Sequence, residues 1–164
     1  MSLAEKVERL ARIVPGVAGY QDKEKSRESD KNIRLHLSAE LDGLKRELEG
    51  DKRRIMNGKD LSLLPALDSL TAKLDKLSNT VKYASRGYRA VFDEHKVDLV
   101  KLDALCNFDL RLVDEVGTLK AQAARLRDAH GRGAVQQQVM ETLADALDEF
   151  ERTFATRQNI IAAG

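Results

Sequence analysis

The chain has 164 residues, 34% of them charged, with four Phe, three Tyr, no Trp and a formal net charge of +1. That length suits one domain with a sizeable core, here residues 1–164, and the composition is that of helical bundles and coiled coils. Mixed charge without a basic excess argues against nucleic acid, the lone Cys106 excludes an internal disulfide and fits a reducing compartment, and no stretch approaches the roughly 20 apolar residues of a membrane span.

Ser2-Leu3-Ala4-Glu5 reads as a capping box that opens a short amphipathic helix over 1–14. Leu3, Val7, Leu10 and Val14 form one stripe on it, and Pro15-Gly16 ends it. Its mixed charges suit docking on the rest of the molecule or on a partner better than a membrane surface, which prefers a basic face. Nothing between Met1 and Gly19 resembles a secretory signal, so the expected address is cytoplasmic.

After the connector 17–20, a second helix is expected from Gln21 or Asp22 to about Met56. Residues 21–32 contain no apolar side chain; Asp30 and Arg34 stand there in the favourable i,i+4 order. The core stripe begins at Ile33 and continues through Leu37, Leu41, Leu44, Leu48 and Ile55. Lys52, Arg53 and Arg54 read as a solvated face that compensates the helix dipole. Asn57-Gly58 is the stop, with Gly58 suited to a left-handed conformation.

Asp60 or Ser62 should cap a third helix with Pro65 in its first turn. Leu67, Leu70, Leu74, Leu77, Val81, Ala84, Tyr88 and Val91 give it a heptad seam that predicts helix up to about Asp93. Continued arithmetically, the same phase would reach residue 126 and make a rod of roughly 100 Å. His95, Asp98 and Asp109 interrupt it, and Asp98 makes a good N-cap between Val97 and Leu102. The chain is therefore expected to break near 93–97. A fourth helix should follow from Asp98 to Ala129, a turn at His130 to Gly133, and a fifth helix from Ala134 to Ile161. Short connectors then give an all-α fold: an up-down-up-down antiparallel four-helix bundle of long helices over 21–161, preceded by the short N-terminal helix.

In that arrangement one end of the bundle collects Tyr20, Tyr83, Arg86, Tyr88, Asp93 and His95, with Phe92, Phe154 and Arg157 beside them. These residues are the candidate ligand or partner site, because Tyr and Arg combine large contact area with a polar handle; the competing reading is an aromatic plug of the bundle end. No catalytic constellation emerges. Cys106 sits among Leu102, Leu105 and Leu110 as a buried small hydrophobe. Asp109 either pairs inside the bundle or turns to the surface. The residues three before His36, His95 and His130 are Ile33, Phe92 and Arg127, so the Glu-x-x-His motif of di-iron bundles is absent. No phosphate loop or zinc spacing is present, and no cofactor is expected.

Two stretches carry a family resemblance. Val14-Pro15-Gly16-Val17-Ala18-Gly19-Tyr20 with Asp22-Lys23-Glu24 is one; Leu67-Asp68, Leu70-Thr71 and Leu74-Asp75 leading to Tyr83-Ala84-Ser85 and Gly87-Tyr88 is the other. Together, over residues 14–95, they resemble an uncharacterised family of bacterial all-helical proteins. The resemblance implies a bacterial cytoplasmic origin and assigns no residue a role. The expected function is a non-enzymatic helical-bundle interaction or scaffold protein, with a protein partner or a homodimer. The alternatives are a small-ligand or metal-binding bundle using the tyrosine-rich end, and a membrane-peripheral adaptor acting through the first helix.

Overall fold

Local capping chemistry sets where most of the helices begin. In the computed structural model, which describes residues 1–84, 92–93 and 96–162, with the backbone alone at 92, 93, 96, 97 and 162, Ser2 caps α1 (Leu3–Ile13) with the full reciprocal box to Glu5. Asp22 caps α2 (Lys23–Met56) by accepting from the Lys25 amide. Asp98 caps α4 (Leu99–Asp128) by accepting from the amides of Val100 and Lys101, both at 3.1 Å. Replacing Asp98 with Ala leaves both amides without that acceptor, with an expected cost of about 1 kcal/mol in a urea titration. The helix α5 (Gly133–Ala162) follows a turn in which Gly131 is left-handed, at φ +80°.

The third helix departs from expectation at both ends. It is α3 (Leu64–Lys82), with Pro65 in its first turn, but its N-cap is Leu63 without a side-chain cap; Asp60 instead accepts from the Ser62 amide. The helix stops at Lys82 rather than near Asp93, so Ala84 lies beyond it; Tyr88 and Val91 of the expected seam fall outside the described residues. The Lys82 carbonyl, left without an intrahelical partner by that stop, accepts from the Arg34 guanidinium at 2.8 Å. A tertiary contact thus does the work of a local stop signal. A two-residue antiparallel ladder, β1 (Phe92–Asp93) with β2 (Lys96–Val97), precedes α4. Gly58 is not left-handed either: Asn57 caps α2 in a helical conformation, and the Gly58 amide donates to the Ile55 carbonyl.

The fold is all-α, and its helix contacts fit a bundle. Close packing joins α2 to α3, α4 to α5, α2 to α4, α3 to α5 and α1 to α4; α3 and α4, consecutive in the chain, are not among the close pairs. The expected stripes on α2 and α3 enter the core, Ile33 through Ile55 and Leu67 through Val81, where they meet Leu102 through Leu126 of α4 and Val139 through Ile161 of α5; Val135, expected inside as well, is 47% exposed. On α2 the seam position between Leu48 and Ile55 is filled by Asp51, 4% exposed, whose carboxylate reaches Arg54. Helix α1 docks with Leu10 and Val14 fully buried, pinned to α4 by the ion pairs Lys6–Asp103 and Arg9–Asp114. The connector between α1 and α2 turns on Gly16 and Gly19, at φ +83° and +103°, a region where a side chain would be strained. None of the described helices is long and apolar enough to cross a membrane.

Candidate functional site

The start of α2 carries no apolar residue before Ile33, yet it does not lie free on the surface. Ser26, Ser29 and Asp30 are buried there. One helical turn after Asp30, Arg34 closes the i,i+4 pair, Nε to Oδ2 at 2.8 Å, and extends to the end of α3 through Lys82. On α4, Asp109 occupies the seam position between Leu105 and Leu112 and is fully buried. On α5, Arg157 is fully buried and joins the two carboxylates. Its Nη2 donates to Asp30 at 2.6 Å, and its Nε donates to Asp109 at 2.5 Å. Nη1 donates to the Gln158 side chain. Two Asp and two Arg thus form a neutral, sealed set that ties four helices together at one end of the bundle.

The two carboxylates differ because their partners differ. Burial pushes Asp30 up, but Arg157 and Arg34 together overcome it and hold the carboxyl below the ordinary range. Burial also pushes Asp109 up; the Arg157 guanidinium does not fully offset that, and Asp30 opposes it. A guanidinium in this setting keeps its proton. Neither Asp is free to act as a base toward solvent, so the geometry suits holding helices rather than moving protons. Cys106, fully buried nearby, has its thiol pushed up to about 12 by burial first and then by Asp109, which makes it inert rather than nucleophilic.

Of the expected site residues whose side chains are described, Tyr20 and Tyr83, only Tyr20 is placed against this set. It is 6% exposed, and its hydroxyl is buried with no hydrogen-bond partner among the described residues. Burial, then the nearby Asp109 and Cys106, push its phenol well above the ordinary value. Tyr83 goes the other way: it caps α3, is 73% exposed and lies beneath the Lys82 ammonium, 5.3 Å from its ring centre. Only the backbone of Asp93 is described, in β1, and Arg86, Tyr88 and His95 lie outside the described residues. The Asp30–Arg34 pair, Asp109 and the placing of Arg157 at this end were each visible in the sequence; that Arg157 joins Asp30 to Asp109 is what the sequence reading missed.

The ring of Tyr20 also lines a surface groove of about 570 Å³ between α1, the connector and the first turn of α4. Leu3, Val7, Val17, Leu99 and Leu102 make its apolar wall, with Glu8 and Gln21 among its polar lining residues. Leu99 of that wall and its neighbour Val100 stand 63% and 81% exposed. Among the described residues no group of three His, Cys, Asp or Glu is placed to hold a metal ion. No protein-family model, curated protein or solved structure matches the chain.

Proposed function

We propose that this protein is a non-enzymatic, cytoplasmic interaction module that pairs with a second copy of itself. One observation carries the reading: the Asp30–Arg157–Asp109 set is sealed inside the bundle, while an apolar groove opens to the surface with Leu99 of its wall and the neighbouring Val100 both exposed at its edge. A projecting apolar pair next to an apolar recess is the self-complementary pattern that a two-fold contact uses. Large apolar surface left open beside a groove marks a contact site more often than a lone exposed Leu does.

The finer topology belongs to the same proposal. Helices α2 to α5 run up, down, up and down. The supporting register is in the cross-links. Lys45–Asp75 and Lys52–Asp68 descend on α3 as α2 ascends. Glu40–Lys120 and Glu47–Arg127 ascend together on α2 and α4. Asp109–Arg157 and Glu115–Thr153 descend on α5 as α4 ascends. The molecule is then two antiparallel hairpins side by side, with α1 closing one flank.

Light scattering on the purified chain tests the pairing. The expected mass is twice that of one chain, falling to that of one chain in Leu99→Asp with Val100→Asp; a wild type that stays monomeric at high concentration overturns it. A second reading, that the groove takes a small apolar ligand, is supported by its size, which lies in the range of ligand sites. It predicts a thermal shift with a fatty acid, abolished by filling the recess with Ala11→Phe.

A further inference from the structure

The wall of the groove formed by 17–21 is fastened to the start of α2 by side chains that reach back to its backbone. Ser29 donates to the Gly19 carbonyl and Asn32 to the Gly16 carbonyl, each at 2.8 Å. The start of α2 is in turn fastened to the bundle without apolar help, since its own residues 21–32 are all polar. Its strongest tie is Asp30, one end of the buried set with Arg157 and Asp109. Arg34 marks the level at which α3 ends, so the first three turns of α2 lie past that neighbour. The two halves of α2 are therefore held by different forces: 33–56 by a leucine seam, 23–32 by hydrogen bonds and ion pairs.

We propose that the Asp30–Arg157–Asp109 set is a latch, and that its opening releases the connector 17–21 and the first three turns of α2 as one unit while the rest of the bundle stays folded. Because that unit carries one wall of the groove, the latch sets how open the groove is. This use of the latch rests on the groove being the contact surface; the release itself does not. Segments held by polar ties with little apolar contact open locally below the global unfolding free energy, and 23–32 is one; the connector adds Val17 and Tyr20 as the buried apolar side chains that open with it. Tyr20 moves with the unit, since its ring faces the groove and its unpartnered hydroxyl lies buried near the latch. The groups facing the latch are Asp30 and Arg34 from α2, the Lys82 carbonyl from α3, Asp109 and Cys106 from α4, and Arg157 from α5.

Native-state amide hydrogen exchange on the full chain tests this. In the wild type, amides of 17–33 are expected to exchange together through an opening of lower free energy than the one that exposes 44–55 on the same helix, and in Asp30→Asn their exchange is expected to quicken by about a hundredfold. Leu126→Ala, buried on α4 far along the bundle, is the control: it lowers the global free energy and should quicken 44–55 while leaving 17–33 unchanged. If Asp30→Asn does not fold, Asp109→Asn keeps the Asp30–Arg157 pair and should give the same pattern with a smaller ratio. One opening free energy shared by 17–33 and 44–55 in the wild type, unchanged protection of 17–33 in Asp30→Asn, or α2 opening without the connector would each overturn the latch. A monomer in light scattering would remove the pairing and leave the exchange result standing, so the two failures are distinguishable.

Discussion

Arg157→Met is expected to destabilise the protein by about 3–5 kcal/mol, read as a lowered urea midpoint with an unchanged slope. Methionine replaces the aliphatic stem but removes the charge shared by Asp30 and Asp109, both essentially without solvent. Two buried carboxylates then face each other across the vacated guanidinium. Asp30 keeps Arg34, while Asp109 loses the only guanidinium that it contacts among the described residues. Breaking a buried set by removing one member costs far more than the set contributes when whole, because the remaining charges have no water to return to. Arg157→Lys should fall between the two: it keeps the charge but, as a point donor, cannot fork to both carboxylates and Gln158. A loss under about 1 kcal/mol for the Met variant would mean that water reaches the carboxylates and that the set is not sealed.

Much of the bundle was legible because the signals that encode it are local. Ser2, Asp22 and Asp98 act as caps where their spacing to the first apolar turn places them. The leucine stripes enter the core nearly position for position. What failed depended on distant residues. The seam through Ala84, Tyr88 and Val91 has helical spacing, and no Pro or Gly stands at 83, so nothing local announces the stop at Lys82. The partner that stabilises that stop is Arg34, on a helix 48 residues earlier. The stretch 21–32 showed only its lack of apolar residues and its Asp30–Arg34 pair, because burial of Ser26, Ser29 and Asp30 makes sense only once Arg157, 127 residues past Asp30, is in place. The grouping of tyrosines at one end was similarly incomplete: Tyr20 turns into the interior and Tyr83 out of it, a choice made by packing and not by position along the chain.

The two carboxylates of the latch are expected to respond to acid in opposite ways. Asp30 has a folded-state pKa below its unfolded value, near 3.9. It contributes stability above that unfolded value and loses the contribution as pH falls through the lower, folded one. Asp109 is raised by burial, so the folded state takes up its proton more readily than the unfolded chain does. Its contribution is complete below the unfolded value and is lost as pH rises through the folded one. Lowering the pH from 7 therefore protonates Asp109 first, at no cost to folding, and Asp30 last, at a real one. Accordingly, Asp30→Asn should cost about 3 kcal/mol at pH 7, since it loosens both Arg34 and Arg157. Asp109→Asn should cost about 1–2 kcal/mol, since Arg157 keeps Asp30. Urea titrations of both variants and the wild type from pH 7 to pH 2 check this, because the difference curves cancel the carboxylates common to all three. The Asp30→Asn difference should shrink only in the most acidic part of the range. The Asp109→Asn difference should not shrink in step with it, because a group whose charge the fold disfavours loses nothing by being neutral. Equal differences with one shared acid dependence would mean that the two carboxylates share Arg157 evenly, and that Arg34 adds nothing to the hold on Asp30.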